Sequence, residues 1–177
     1  MQVTISANGK NIKAEISEEQ AKILGLVEDK PKTGYESLGT GETYYLVDVD
    51  DEITTMKYDS RLDRDCYDVG NYYSDKVIAE NNARADRLLR QLRQWQALND
   101  KPISVEDWNN ESKKKWFIIY SYSSEEMYAE YYYIMRLPNT IYFATKEKAE
   151  EAIEVFKDEL IWYFTEYVQR LDEVQND

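Results

Sequence analysis

Apolar and polar residues alternate over residues 2–7, QVTISA, and again over 11–16, NIKAEI, setting Val3, Ile5 and Ala7, then Ile12, Ala14 and Ile16, on one face of each stretch. Asn8 and Gly9 between them tolerate the positive φ of a tight turn, so the pattern predicts a β-hairpin. Ser17 followed by Gln20 has the spacing of a capping box, and Gly25 stands where a short helix over AKIL needs a left-handed cap. Residues 1–26 read as a ββα unit.

Residues 27–41, VEDKPKTGYESLGTG, hold one proline and three glycines among charges and read as a linker, or as a loop lying over the next unit. TYYLVDV (43–49) and ITTMKY (53–58) are β-rich runs joined by Asp50, Asp51 and Glu52, a second hairpin. Residues 59–71 are polar and irregular, a loop or frayed edge. Ser74 or Asp75 then caps a helix whose apolar positions Ile78, Ala85, Leu88, Leu89, Leu92, Trp95 and Leu98 recur at three- and four-residue spacing. A bridging stretch over 101–112 leads to KWFIIYSY (115–122) and MYAEYYYIM (127–135), a third hairpin around Ser123, Ser124, Glu125 and Glu126. LPNT turns the chain, IYF adds a short strand, and Thr145 caps a last helix with Ala149, Ala152, Ile153, Phe156, Leu160, Tyr163 and Tyr167 along one side.

Two decapeptides stand at matching points of this plan, NYYSDKVIAE at 71–80 and IYFATKEKAE at 141–150. Tyr72, Lys76, Ala79 and Glu80 recur as Tyr142, Lys146, Ala149 and Glu150, with Tyr73 answered by Phe143. Each marks the corner where a short aromatic strand passes into a capped helix. The expected fold is α+β: an N-terminal ββα hairpin unit (1–26), a linker (27–41) and two related β-hairpin/helix halves (42–101 and 102–177) with antiparallel sheets.

Composition narrows the chemistry. The chain has no histidine, which excludes a His base, a Ser/His/Asp or Cys/His nucleophile and His-ligated metals. Cys66 is the only cysteine, so no intramolecular disulfide forms. Acids outnumber bases 35 to 22 for a formal net charge of −13, yet 16 tyrosines supply material for a core, so the chain is expected to fold. That charge repels phosphates and argues against direct duplex DNA binding. No run reaches the roughly 18–20 apolar residues of a membrane span, and MQVTISANGK lacks a signal peptide's pattern, so a cytoplasmic location is expected.

Charge is unevenly spread. Residues 42–68 hold nine acids against three bases, a balance of −6, and residues 140–177 ten against four, again −6. Residues 76–101 hold six bases against three acids, +3. Arg84, Arg87, Arg90 and Arg93 on that basic helix either face acids of the other half, such as Glu150, Glu151 and Glu154, or contact an anionic partner such as guide RNA with Trp95 stacking beside them. Asp48, Asp50, Asp51 and Glu52 form a D-x-D-D-E string without the central glycine and terminal glutamate of an EF-hand loop, so it reads as a solvated turn, and no metal or cofactor is expected. With Asp59, Asp63, Asp65, Glu150, Glu151 and Glu154, these acids are candidates to imitate phosphates in a partner's basic groove. Tyr122, Tyr128, Tyr131, Tyr132 and Tyr133 crowd one hairpin, and alternation cannot bury them all, so Tyr122, Tyr128, Tyr131 and Tyr133 are candidate partner contacts.

The opening VTISANGKNIKAEISEEQAKILGL, the link KPKTGYESLGTGETYYLVD, the VGNYYS turn, the DWNN element and the ending TIYFATKEKAEEAIEVFKDELIWYF together resemble a set of small proteins carried by bacteriophages and prophages of Firmicutes and related gut bacteria. The resemblance implies a genomic context rather than a chemistry. Small acidic phage proteins are often inhibitors of host defence, so the expected function is a non-enzymatic, anti-CRISPR type inhibitor whose carboxylates block the basic nucleic-acid groove of an effector such as Cas9 in the host cytoplasm. The alternative is a phage accessory or structural interaction module with no inhibitory role.

Overall fold

In the computed structural model, which describes residues 2–7, 10–26, 32–59 and 61–173, the chain is α+β, with small two-stranded antiparallel sheets among helices. Strands β1 (Gln2–Ala7) and β2 (Lys10–Glu15) pair with Val3 opposite Ala14 and Ile5 opposite Ile12, the register that alternation requires. The Asn8–Gly9 turn lies outside the described residues. Helix α1 (Glu18–Ile23) begins at the expected capping box, with the Ser17 hydroxyl accepting from the Gln20 N–H and the Gln20 side chain accepting from the Ser17 N–H. It ends at Gly25, whose φ of 64° is left-handed.

Strands β3 (Thr43–Val47) and β4 (Ile53–Lys57) make the second hairpin, and β5 (Lys115–Ser121) with β6 (Glu126–Tyr132) the third. Helix α3 (Lys76–Asn99) follows the second hairpin, and helix α5 (Lys146–Val155) follows the third. The two decapeptides behave alike. Tyr73 exchanges both backbone hydrogen bonds with Tyr45 (2.8 and 2.9 Å), and Phe143 does so with Trp116 (2.7 and 3.0 Å), adding one residue to the open side of each hairpin. The buried Tyr72 hydroxyl accepts from the Leu38 N–H, and the buried Tyr142 hydroxyl from the Leu137 N–H. Asp75 and Thr145 cap their helices, and Lys76–Glu80 and Lys146–Glu150 form the same i, i+4 ion pair. Ala79 and Ala149 are both fully buried.

The matching strand positions diverge in chemistry. Immediately before the bridging residues Tyr45 and Trp116 stand Tyr44 and Lys115, both fully buried. Tyr44 donates to Asp63 at 2.6 Å, while the Lys115 ammonium donates to the carbonyls of Trp108 (3.4 Å), Asn110 (3.0 Å) and Tyr133. Each ties its hairpin to a neighbouring segment, one through a hydroxyl and the other through a charge.

Helix α3 is long because it serves two cores. Near its start Ile78 and Ala79 pack with Tyr73, whereas Leu88 and Leu92 roughly three turns further on pack with Phe143, Ala149, Ala152 and Leu160. The expected last helix is divided at Phe156 (φ −110°) into α5 and α6 (Lys157–Thr165), which lets Leu160 and Trp162 reach the α3 side. No proline or glycine marks that break.

Two stretches carry helices that were not expected, and a third resolves between two readings. Residues 59–71 contain helix α2 (Arg61–Asp68) rather than only loop, and its buried residue is Asp63, so hydrophobic periodicity had nothing to register. The bridging stretch after α3 contains a short helix α4 (Val105–Trp108), started by a Ser104–Asp107 capping box. Of residues 27–41, 27–31 lie outside the described residues, and 32–41 follow the second of the two expected readings, a loop lying over the next unit. Gly34 accepts from the Ser74 N–H at 2.8 Å, Tyr35 packs on Tyr73 (ring centres 5.4 Å), and Glu36 accepts from Ser74 Oγ at 2.5 Å.

Candidate functional site

Three of the four arginines of α3, Arg84, Arg87 and Arg90, are held within the fold. Arg84 forks onto Glu159, its Nε and Nη2 donating at 2.9 and 3.0 Å, with the guanidinium carbon 4.0 Å from the centre of the Trp162 ring. Its partner is therefore Glu159 of α6, not Glu150, Glu151 or Glu154. Helix packing explains this: the chain breaks at Phe156 and α6 then packs against α3. Arg87 and Arg90, one turn apart, both reach Asp51 in the β3–β4 turn, at 3.2 and 2.5 Å. Asp51 sits at φ 65°, a conformation that Asp adopts more readily than most residues. Arg93 is exposed and forms no ion pair among the described residues. Trp95 does not stand free to stack, since its ring meets Phe143 edge-on at 6.2 Å in the core.

The acids separate into three groups. Asp63 is 2% exposed and accepts from the Tyr44 hydroxyl (2.6 Å) and the Asp59 N–H (2.8 Å), which withdraws it from any partner surface. Burial and the Asp63 carboxylate together push the Tyr44 hydroxyl well above its ordinary pKa. Asp48 closes its own turn, accepting from the Val49 N–H and the Thr54 hydroxyl, and Asp51 is taken by the arginines. Asp50, Glu52, Asp59 and Asp65 remain exposed. On α5, Glu150 pairs with Lys146 and Glu151 with Lys148, while Glu147 and Glu154 are exposed and form no ion pair among the described residues. No group of three or more His, Cys, Asp or Glu among the described residues is arranged to hold a metal ion, and no helix there is long and apolar enough to cross a membrane.

The tyrosines of the third hairpin are partly committed. Tyr131 packs on Trp116 (4.9 Å) beneath the Lys114 ammonium (4.1 Å), and Tyr132 stacks on Phe117 (5.0 Å). Tyr122 is 74% exposed with its hydroxyl donating to the Phe164 carbonyl, while Tyr128 and Tyr133 are about two-fifths exposed.

Of the candidate residues, Tyr128, Glu150, Glu151 and Glu154 come together at one groove, and the arginines, the acids of 48–65 and Tyr122, Tyr131 and Tyr133 do not line it. A groove of about 870 Å³ opens between the end of α3, helix α5 and strand β6, with Trp95, Met127, Tyr128, Ile153 and Val155 among its walls and Glu147, Glu150, Glu151 and Glu154 along one side. Glu147 escaped the sequence reading, although its spacing to 150, 151 and 154 places it on the same helical face. Compared with protein-family models, curated protein sequences and solved structures, the chain matches none of them.

Proposed function

We propose that the chain is a non-catalytic inhibitor that acts by binding, its acidic surface occupying a basic nucleic-acid groove of another protein with carboxylates standing in for phosphates. The observation that supports this reading is the face of α5, where Glu147, Glu150, Glu151 and Glu154 follow one another while Arg84, Arg87 and Arg90 of α3 are held by other acids. One helical turn sets carboxylates roughly 5 Å apart along the axis, the same order as the roughly 3.4 Å per phosphate along one strand of a duplex. A net charge of −13 adds steering toward a basic target.

On the resemblance to phage-borne proteins, the target to test first is a CRISPR effector, Cas9 foremost, met in the cytoplasm of the bacterial host. Binding should weaken steeply between low and high salt, and target DNA loaded beforehand should block it. Indifference to both would remove the mimicry reading. The exposed run Tyr133, Ile134, Met135 and Leu137 after β6 favours a second reading, a phage accessory module that docks another phage protein without inhibiting anything. Infection of hosts with and without an active CRISPR system separates the two, since only an inhibitor changes the outcome in one host alone.

A further inference from the structure

We infer that the groove between α3, α5 and β6 docks a Lys/Arg-bearing protein segment that also presents an apolar side chain; this rests on the acidic-surface reading above and names the segment that surface receives. The groove has an apolar floor. Trp95 is half-buried against Phe143, Met127 and Ile153 lie beside it, and Val155 is 59% exposed at the edge. Its rim is anionic, with Glu147 and Glu154 unmatched by any ion pair among the described residues and Glu150 and Glu151 each held by a lysine of their own helix. A second hollow of about 440 Å³, with Glu125, Glu126 and Lys157 at its walls, shares Met127, Ile153 and Glu154 with the first, so the acid-edged track continues along β6.

Charge complementarity selects the occupant. An apolar floor under a carboxylate rim suits a segment with cations flanking an apolar anchor. A nucleic acid brings phosphates that the rim repels, and a second copy of the chain brings the same −13 net charge. The protein already holds one cation here: the Lys148 ammonium lies 2.6 Å from Glu151 and 6.0 Å from the Trp95 ring centre, within reach of the ring's negative face. A partner's lysine or arginine finds two further carboxylates beside that cation, Glu147 and Glu154, which form no ion pair among the described residues.

The test uses the full chain and a synthetic amphipathic Lys/Leu peptide, with a Glu/Leu peptide of equal length as its counterpart, followed by fluorescence anisotropy. The Lys/Leu peptide should bind saturably and the Glu/Leu peptide should not. Glu147→Gln with Glu154→Gln should weaken binding about tenfold, and Val155→Ser should weaken it without any change of charge. Glu15→Gln with Glu19→Gln, which removes the same charge from the exposed N-terminal ββα unit, should leave binding within about twofold. Equal weakening by both double variants would overturn the docking site, because the peptide would then be responding to net charge alone. Competition of the same variants with DNA for a basic target is measured separately. Competition that persists without a localised peptide site retains the inhibitor reading and sinks the groove, and a localised peptide site without competition does the reverse.

Discussion

Arg84 and Glu159 join two helices through a two-pronged ion pair, Nε to one carboxylate oxygen and Nη2 to the other, with the guanidinium lying over the Trp162 ring. The bond lowers the pKa of Glu159 and raises that of Arg84, as a pair that favours both charged forms must. Both side chains are 42% exposed, so solvent screens much of the attraction. Arg84→Gln should therefore cost about 1 kcal/mol in urea unfolding, part of it from the lost ring contact. Arg84→Lys should recover only a fraction, because an ammonium cannot fork.

Glu36 gives the stability a pH dependence. Partial burial alone would raise its pKa, but hydrogen bonds from Ser74, from the Thr33 N–H and hydroxyl and from the protein backbone outweigh this and hold it at about 2, against an ordinary 4.5. A depressed carboxyl pKa stabilises the fold when ionised, so the contribution is complete above about 4.5 and is lost as pH falls toward 2. Between those values the stability of Glu36→Gln should fall less steeply with pH than that of the natural chain. Parallel acid titrations of the two proteins would contradict this role.

Lys115 holds three carbonyls with one ammonium in a fully buried position. Lys115→Met keeps most of the volume and abandons the carbonyls, and should destabilise by roughly 3 kcal/mol. The loss should be local at first. Hydrogen exchange should rise earliest in the residues around Trp108 and Asn110, whose carbonyls lose their donor.

Gly34 has a φ of 87°, and a Cβ there would come within 2.8 Å of Ile78 Cγ1. Gly34→Ala combines backbone strain with a clash in the core and should cost roughly 3 kcal/mol. Gly41 has the same φ with open space around it, so Gly41→Ala should cost only about 1 kcal/mol. Equal costs at the two positions would mean that the 32–41 loop is not packed on α3.

The hairpins, the caps at Ser17, at Ser74 or Asp75 and at Thr145, and the repeated corner could be read along the chain, because each depends on residues within a turn or two of one another. Helix α2 could not, since the residue it buries is an aspartate whose partner, Tyr44, lies nineteen positions away. The tyrosine-rich hairpin showed that some rings must face outward. Only packing against Trp116 and Phe117 showed which ones do not.

Local pattern was enough to decide the α+β class, most element positions and the contrast between a basic α3 and its acidic surroundings, because alternation, capping and charge counts need no knowledge of distant neighbours. Which acid receives each arginine was decided by tertiary structure. The break at Phe156 brings Glu159 to Arg84, the turn at Asp51 captures Arg87 and Arg90, and Glu147 and Glu154 stay outward beside an apolar groove. An ion pair depends on which surfaces the core brings together, and that choice belongs to the packing of whole elements rather than to spacing along one of them.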